Sequence, residues 1–311
     1  MNSSTPRAGT LGALSNDLAD AVARVSQSVV AIHARRRIPS SGVVWRDGIV
    51  ATANHTITRD EDITITLPDG NTVTATLAGR DPSTDIAVLR VDSKATPVDL
   101  AGDDQLQVGR LVLAVGRPGT QVTASLGIVS AVGGEWRTWR GGRIDRLVRL
   151  DLSVYDGFSG SPLVDGGARV LGLNTSGLAR AAALTLPGTT VNRVVDELID
   201  RGHIARGYFG IAVQPVRLPD AMRQQLDSAA TIGLVIMNLE TDGPAHRAGL
   251  LLGDIITGLE DRDVSDPSDI LAFLASERIG KQVRFHVVRA GAPKTVPIIV
   301  GERPLSPERR S

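Results

Sequence analysis

The sequence contains no cysteine, which excludes disulfide bonds and thiol catalysis and leaves reducing and oxidising compartments equally open. Aromatic residues are only 3% of the chain, so its cores must be packed with Val, Leu, Ile and Ala, within a hydrophobic fraction of 42%. Neither charge sign is in excess: 34 Lys+Arg balance 34 Asp+Glu, giving no global pull toward nucleic acid or an anionic membrane. No run approaches the roughly 18 apolar residues of a membrane span. Met1–Leu14 lacks the basic start and apolar stretch of a secretory signal. As written, the chain is expected to be cytoplasmic; a processed form would instead be periplasmic or otherwise extracytoplasmic. No metal-ligand motif and no phosphate-binding glycine loop occurs, so no cofactor is implied.

What is present is a chain of 311 residues, enough for about two domains. Ser15 is a plausible N-cap for a helix over Asn16–Val25, where Leu18, Val22 and Val25 share one face. From Ser41 onward short β-rich runs alternate with turns: Ile63, Ile65 and Leu67 alternate with threonines, and Pro68–Asn71 makes a hairpin turn. Further strands are expected at 110–115, 123–132, 146–154, 162–165, 169–174 and 183–186. Many short strands with glycine-rich turns and almost no helix predict a mainly β fold built of barrels. A helix over Thr190–Arg201, capped by Thr189 or Thr190, precedes the joint Gly202–Gly207. The pattern then restarts: strands at 208–215, 233–239, 254–260, 282–289 and 294–300, with helices at 219–227, 243–248 and 267–277.

The stretch Asp156-Gly157-Phe158-Ser159-Gly160-Ser161-Pro162-Leu163 carries the first chemical signal. Such a turn aims the N–H groups of Gly157 and Ser159 at one point, as a tetrahedral oxyanion requires. A serine is a poor nucleophile at neutral pH and needs a base. Of the five histidines, His55 alone follows a strand in a small-residue context, at the end of the glycine-punctuated hairpin Ser41–His55. Further on stands Asp81-Pro82-Ser83-Thr84-Asp85-Ile86-Ala87-Val88. Taken singly, each motif is more often structural; three in order are not.

With these motifs the chain resembles the trypsin-like serine proteases of the HtrA (high-temperature-requirement) type, from about residue 16 to residue 302. The resemblance implies His55 as general base, Asp85 as its orienting partner and Ser159 as nucleophile. It implies two six-stranded barrels with the active site between them, and a small α+β PDZ domain behind. The latter is carried by Tyr208-Phe209-Gly210-Ile211 and by Ala248–Asp254, which fits the family's Ala-Gly-Leu-x-x-Gly-Asp pattern. The expected boundaries are a flexible N-terminus at 1–15, the protease domain at 16–203, the PDZ domain at 204–302 and a tail at 303–311.

Ser153 stands where trypsin-like folds line the base of the specificity pocket; a neutral residue there argues for small to medium apolar side chains rather than Lys or Arg. In the PDZ part the N–H groups of Phe209, Gly210 and Ile211 would hold a peptide carboxylate. The peptide would add as a strand, and Ile270 and Leu274 would line its groove, although core packing alone would also explain both. The implied partners are unfolded protein segments and C-terminal peptides, with no nucleic acid. A homotrimer through N-terminal aromatics is usual in the family, but residues 1–44 contain no Phe, Tyr or Trp.

The sequence departs from the family at Phe158, where a polar residue is usual, at Ser161, in place of a second glycine, and at Asp156, in place of proline. These changes favour collapse of the nucleophile loop and add a carboxylate near the oxyanion. They admit a second reading, a silent pseudoprotease that binds peptides or acts as a chaperone module. The stretch Glu135–Arg143 interleaves two of the three tryptophans with arginines. It is either the loop that relays regulation in the family or an exposed hairpin resting on a neighbour.

Overall fold

The computed structural model describes residues 9–179, 183–223, 231–274 and 278–304. The chain divides into two compact units, the first ending at Ile204 and the second beginning at Ala205.

The first unit opens with helix α1 (Thr10–Val25), six residues earlier than expected. Ser15 does not cap it. The first turn closes when Ala13 N–H donates to Gly9 C=O at 3.0 Å, and Leu11, Ala13 and Leu14 continue the helix. Strands β1 (Val29–His33), β2 (Ser40–Arg46), β3 (Ile49–Ala53), β4 (Ile63–Thr66), β5 (Thr72–Asp81) and β6 (Ile86–Val91) form a closed antiparallel barrel in the order β1-β2-β3-β6-β5-β4. A second closed barrel comprises β7 (Leu111–Gly116), β8 (Thr123–Val132), β11 (Val148–Asp151), β12 (Pro162–Val164), β13 (Val170–Thr175) and β14 (Ala183–Pro187). Between β8 and β11 projects a small hairpin of β9 (Trp136–Arg137) and β10 (Arg143–Ile144).

Side chains on a strand alternate between faces, and in β1, β2 and β3 both faces are buried. Val30, Ile32, Val44, Val50, Ile63 and Leu89 fill the first barrel, and Val112, Val129, Leu163 and Leu171 the second. Their strand neighbours Val29, Val43, Ala51, Val88, Leu113, Val115, Val164 and Leu173 point the other way, into a core shared by the two barrels. That shared core explains why β1 and β3 are buried along nearly their whole length, and it fixes one barrel against the other. Helix α2 (Gly188–Arg201) buries Val191, Val194, Val195 and Leu198 in it and ends at Gly202 in the left-handed conformation. Neither expected threonine caps α2. Thr190 Oγ1 instead accepts from Asp145 N–H and donates to its carboxylate, and Thr189 Oγ1 donates to Asp103.

In the second unit, β15 (Gly207–Tyr208) pairs with β22 (Gly301–Glu302). Its main sheet runs β16 (Ile211–Arg217), β17 (Ile232–Leu239), β18 (Ile255–Leu259), β20 (Gln282–Arg289), β21 (Ala292–Ile299), with β19 (Arg262–Asp263) attached to β18. Short helices α3 (Asp220–Arg223), α4 (Pro244–Arg247) and α5 (Pro267–Leu271) complete it. Helix α5 ends at Leu271, earlier than expected, while the expected continuation of α3 falls in residues 224–230, which with 275–277 lie outside the described residues. Asp266 starts α5 with a capping box closed by Asp269.

Candidate active site

Asp85 is placed by a turn that the sequence writes out in side chains. Asp81, 2% exposed, accepts hydrogen bonds from Ser83 N–H, Thr84 N–H and both their hydroxyls. The turn so locked delivers Asp85 at φ 60°, a left-handed conformation that aspartate tolerates better than most residues. Its carboxylate accepts from His55 N–H through Oδ1 at 2.8 Å and lies 2.8 Å from His55 Nδ1 through Oδ2. Thr175, at the end of β13, donates its hydroxyl to the same Oδ2. A Cβ on Gly177 would fall 2.6 Å from both Asp85 Oδ2 and His55 Nδ1, so only glycine lets the chain pass over this pair. Asp85 is 3% exposed, whereas the His55 ring remains partly open to solvent.

The second barrel supplies Ser159 on the turn between β11 and β12. Gly157 and Gly160 take φ values of 89° and 88°, and each is pressed by backbone: Pro39 C=O would lie 2.8 Å from a Cβ on Gly157, and Ser41 C=O 2.2 Å from one on Gly160. Among the described residues no hydrogen bond takes the N–H of Gly157 or of Ser159, while the intervening Phe158 N–H donates to Tyr155 C=O at 3.0 Å. Ser159 Oγ rests 2.9 Å from Ser176 Oγ, with no hydrogen bond to His55 among the described residues. Catalytic bonds are often loose until substrate arrives.

The departures from the family pattern are absorbed inward. The Phe158 ring is fully buried, edge-on to Tyr155 at 5.3 Å, in space that Gly116 leaves by lacking a Cβ. The Phe158 ring thus fills the interior and does not line the cleft. Ser161 is also fully buried and accepts from the Asn174 amide through its hydroxyl. Asp156 stays exposed at the cleft mouth.

His55, Ser159, Gly157 and Ser176 line one cleft of roughly 390 Å³. Its remaining walls are Leu152, Val154, Ala179 and Ala183, with Arg35, Tyr155 and Asp156 at its edge. Ser153 is exposed and does not line it; the neighbours Leu152 and Val154 do, because alternation along the chain turns them inward. Sequence reasoning missed Thr175 and Gly177. The run Asn174-Thr175-Ser176-Gly177 at a strand end was the available signal.

The Trp/Arg hairpin rests on the turn that carries Asp85. Thr138 Oγ1 donates to Ser83 C=O at 2.8 Å, and a Cβ on Gly142 would lie 2.4 Å from that same oxygen. Trp139 projects outward, 78% exposed, with the Arg140 guanidinium 4.5 Å over its ring.

In the second unit Phe209 is buried, edge-on to Phe285 at 4.8 Å, and Gly210 takes φ 76°. The carbonyls of Phe209 and Gly210 are tied to the N–H groups of Ala245 and Glu240, and among the described residues no hydrogen bond takes the N–H of either. Strand β16 is an edge strand beside α5. Ile270 is 5% exposed and belongs to the core with Phe209 and Phe285, while Leu274 is half-buried at its margin.

Comparison with known proteins agrees with this geometry. Residues 40–173 match the trypsin-like peptidase domain, and residues 207–300 the PDZ domain. A protein named probable periplasmic serine endoprotease DegP-like, from Brucella suis biovar 1 (strain 1330), is 34% identical over 282 residues, covering 88% of this chain and 54% of that one. A protein of the same name from Pseudomonas fulva (strain 12-X) is 30% identical, covering 85% of this chain and 56% of the relative. The chain thus spans about half the length of the curated relatives it matches. Their periplasmic names leave the cytoplasmic expectation without support. No helix among the described residues is long and apolar enough to cross a membrane. Among solved structures, the HtrA-type protease AlgW with tripeptide is 30% identical with a TM-score of 0.70, covering 93% of this chain and 98% of that one. The serine endoprotease from Yersinia pestis is 27% identical with a TM-score of 0.73, over 92% of this chain and 98% of that one. The chain belongs to the HtrA-type serine proteases, a trypsin-like peptidase domain followed by a PDZ domain.

Proposed function

We propose that the chain is an endopeptidase that cleaves unfolded protein segments without ATP, using His55, Asp85 and Ser159. Asp85 accepts the Nδ1 proton of His55 and leaves the Nε2 lone pair free as the base. Ser159 Oγ attacks the scissile carbonyl as its proton passes to Nε2. The N–H groups of Gly157 and Ser159 receive the oxyanion, and His55 returns the proton to the leaving amine. Water then repeats the sequence on the acyl-enzyme. The short apolar walls Leu152, Val154, Ala179 and Ala183 favour cleavage after Val, Ala or Leu. The observation that carries the reading is the Asp85 Oδ2–His55 Nδ1 contact at 2.8 Å beside a cleft shared with Ser159. Ser159→Ala should leave the fold intact and abolish cleavage of casein; turnover near that of the parent chain would overturn the assignment.

The PDZ domain binds peptide C-termini, which the N–H groups of Phe209 and Gly210, taken by no hydrogen bond among the described residues, and the open edge of β16 support. That binding changes the cleavage rate, because a ligand that favours one state of the enzyme shifts its population. Deletion of residues 207–311 should then alter the rate without abolishing it. Work outside the cytoplasm follows from the relatives' names, and assembly as a homotrimer is usual in the family.

A further inference from the structure

We propose that Ser41, on the barrel that carries His55, is the positioning residue of the oxyanion hole on the other barrel. The inference rests on the reading of Gly157 and Ser159 as the oxyanion donors. Those two N–H groups belong to the peptide units on either side of a single one, formed by Gly157 C=O and Phe158 N–H. A peptide unit is planar, so holding both its ends sets its rotation and with it the angle between the flanking donors. Both ends are held. Phe158 N–H donates to Tyr155 C=O at 3.0 Å, and Gly157 C=O accepts from Ser41 N–H at 2.8 Å and from Ser41 Oγ at 2.7 Å.

The hydroxyl's direction is forced by its partners. Arg117 N–H, 2.8 Å from Ser41 Oγ, can only donate, so Oγ accepts there and its one hydrogen goes to Gly157 C=O. Ser41 is fully buried, so no water competes for these bonds. Its own carbonyl accepts from Thr52 Oγ1 at 2.7 Å and packs against the bare face of Gly160. Arg117 is anchored in turn: its guanidinium donates to the carbonyls of Val29, Thr120 and Ser26. One serine from β2 thus grips the nucleophile turn at Gly157 and at Gly160. The oxyanion donors are set in the frame of the barrel that holds the base, and not only in that of the barrel that holds the nucleophile.

The test uses the full chain with Ser41→Ala and with Ser41→Cys, whose slightly larger thiol keeps a donor at the γ position but donates weakly. An internally quenched peptide gives kcat and KM, and a peptide boronic acid, whose tetrahedral adduct places an oxygen in the hole, gives an inhibition constant. Removing one oxyanion donor costs about 10²–10³ in kcat; misaiming both partly should cost Ser41→Ala about 10- to 100-fold on the same scale. KM should stay within about twofold, and the boronate should weaken by the same factor as kcat falls. The Cys variant should lie between, and the pH profile should keep its shape because His55 and Asp85 are untouched. Parent-like kcat, a loss confined to KM, or a fall in kcat with unchanged boronate affinity would each overturn the proposal. If Ser41→Ala does not fold, Ser41→Cys decides by the same criteria. Ser159→Ala separates the two failures: a cleaving Ser159→Ala sinks the site reading itself, whereas an inactive one beside a parent-like Ser41→Ala sinks only this inference.

Discussion

The two barrels share a strand count and a closed topology, yet they hold the proposed catalytic groups by different means. On the first barrel the holding is done by side chains: Asp81 locks the turn, Asp85 grips His55, and Thr175 reaches over from β13 to bind Asp85. On the second it is done by backbone: two left-handed glycines, a pair of N–H groups with no partner among the described residues, and a carbonyl clamped by Ser41. A general base must present one nitrogen lone pair, and polar side chains can fix a ring. An oxyanion must be met by donors that cost no reorganisation, and peptide units already fixed in the chain meet that need.

Breaking the side-chain lattice at its centre should have the largest effect. Asp85→Asn offers an amide where a carboxylate took the Nδ1 proton, so kcat should fall about 10⁴-fold with KM little changed, read from peptide hydrolysis. A fall of tenfold or less would mean that Asp85 only fills space.

The same device recurs in the second unit and gives a stability counterpart. Asp254, 1% exposed, accepts from Leu251 N–H and is paired with Arg289 through both its oxygens. Burial opposes its ionisation, but the Arg289 hydrogen bonds, the Leu251 N–H and the charges of Arg289 and Lys294 outweigh this and hold its pKa below the usual carboxylate range. A folded-state pKa below the unfolded one stabilises above the unfolded value of about 3.9 and is lost as pH falls through the folded value. Arg289→Ala should cost about 3 kcal/mol at pH 7 by leaving a buried charge unpaired. Asp254 would then be raised by burial, so the sign reverses and the variant should gain ground on the parent as pH drops toward 4. Urea unfolding of the second unit across pH 4 to 7 checks this; a penalty independent of pH would contradict it.

Thr175→Val should come next in size, since a hydrogen bond to a charged group contributes about 1.5–3 kcal/mol. Loss of the Thr175 hydroxyl should lower kcat about tenfold to a hundredfold. Unchanged kcat would remove Thr175 from the lattice. The smallest effect belongs to the backbone cradle of the second unit. Gly210→Val forces a β-branched residue into φ 76° beside Tyr208 and should weaken a peptide with a free C-terminus about tenfold. Calorimetry with the free acid and its amide tests it, and equal affinity for both would contradict a carboxylate cradle.

The difference between the barrels also explains what could be read from the sequence. His55, Asp85 and Ser159 carry their chemistry in side chains at recognisable spacings, and the structure brings His55 and Ser159 to one cleft with Asp85 behind His55. The expected strands 123–132 and 282–289 match β8 and β20 to the residue. Helix starts were read less well. Ser15, Thr189 and Thr190 have the chemistry of caps, but Ser15 lies inside α1 and the two threonines are engaged by Asp103 and Asp145. Ser153 is exposed while Leu152 and Val154 on either side line the cleft, a facing that sequence spacing alone does not give. Ser41 and Thr175 were harder to read for a deeper reason: their partners stand 116 and 90 residues away along the chain. Only the closed barrels bring those partners together. Phe158 shows the converse, a residue that reads as an obstruction until Gly116 is seen to leave it room.

The most direct test of the account is labelling by a fluorophosphonate, which reacts with a serine only when a base and an oxyanion hole are assembled around it. The folded parent chain should be labelled on Ser159 alone, seen by peptide mass mapping, and Asp85→Asn should be labelled far more slowly. A parent chain that stays unlabelled while folded, or that is labelled on Ser161 or Ser176 instead, would contradict the assembled site and favour a silent, peptide-binding use of the same fold.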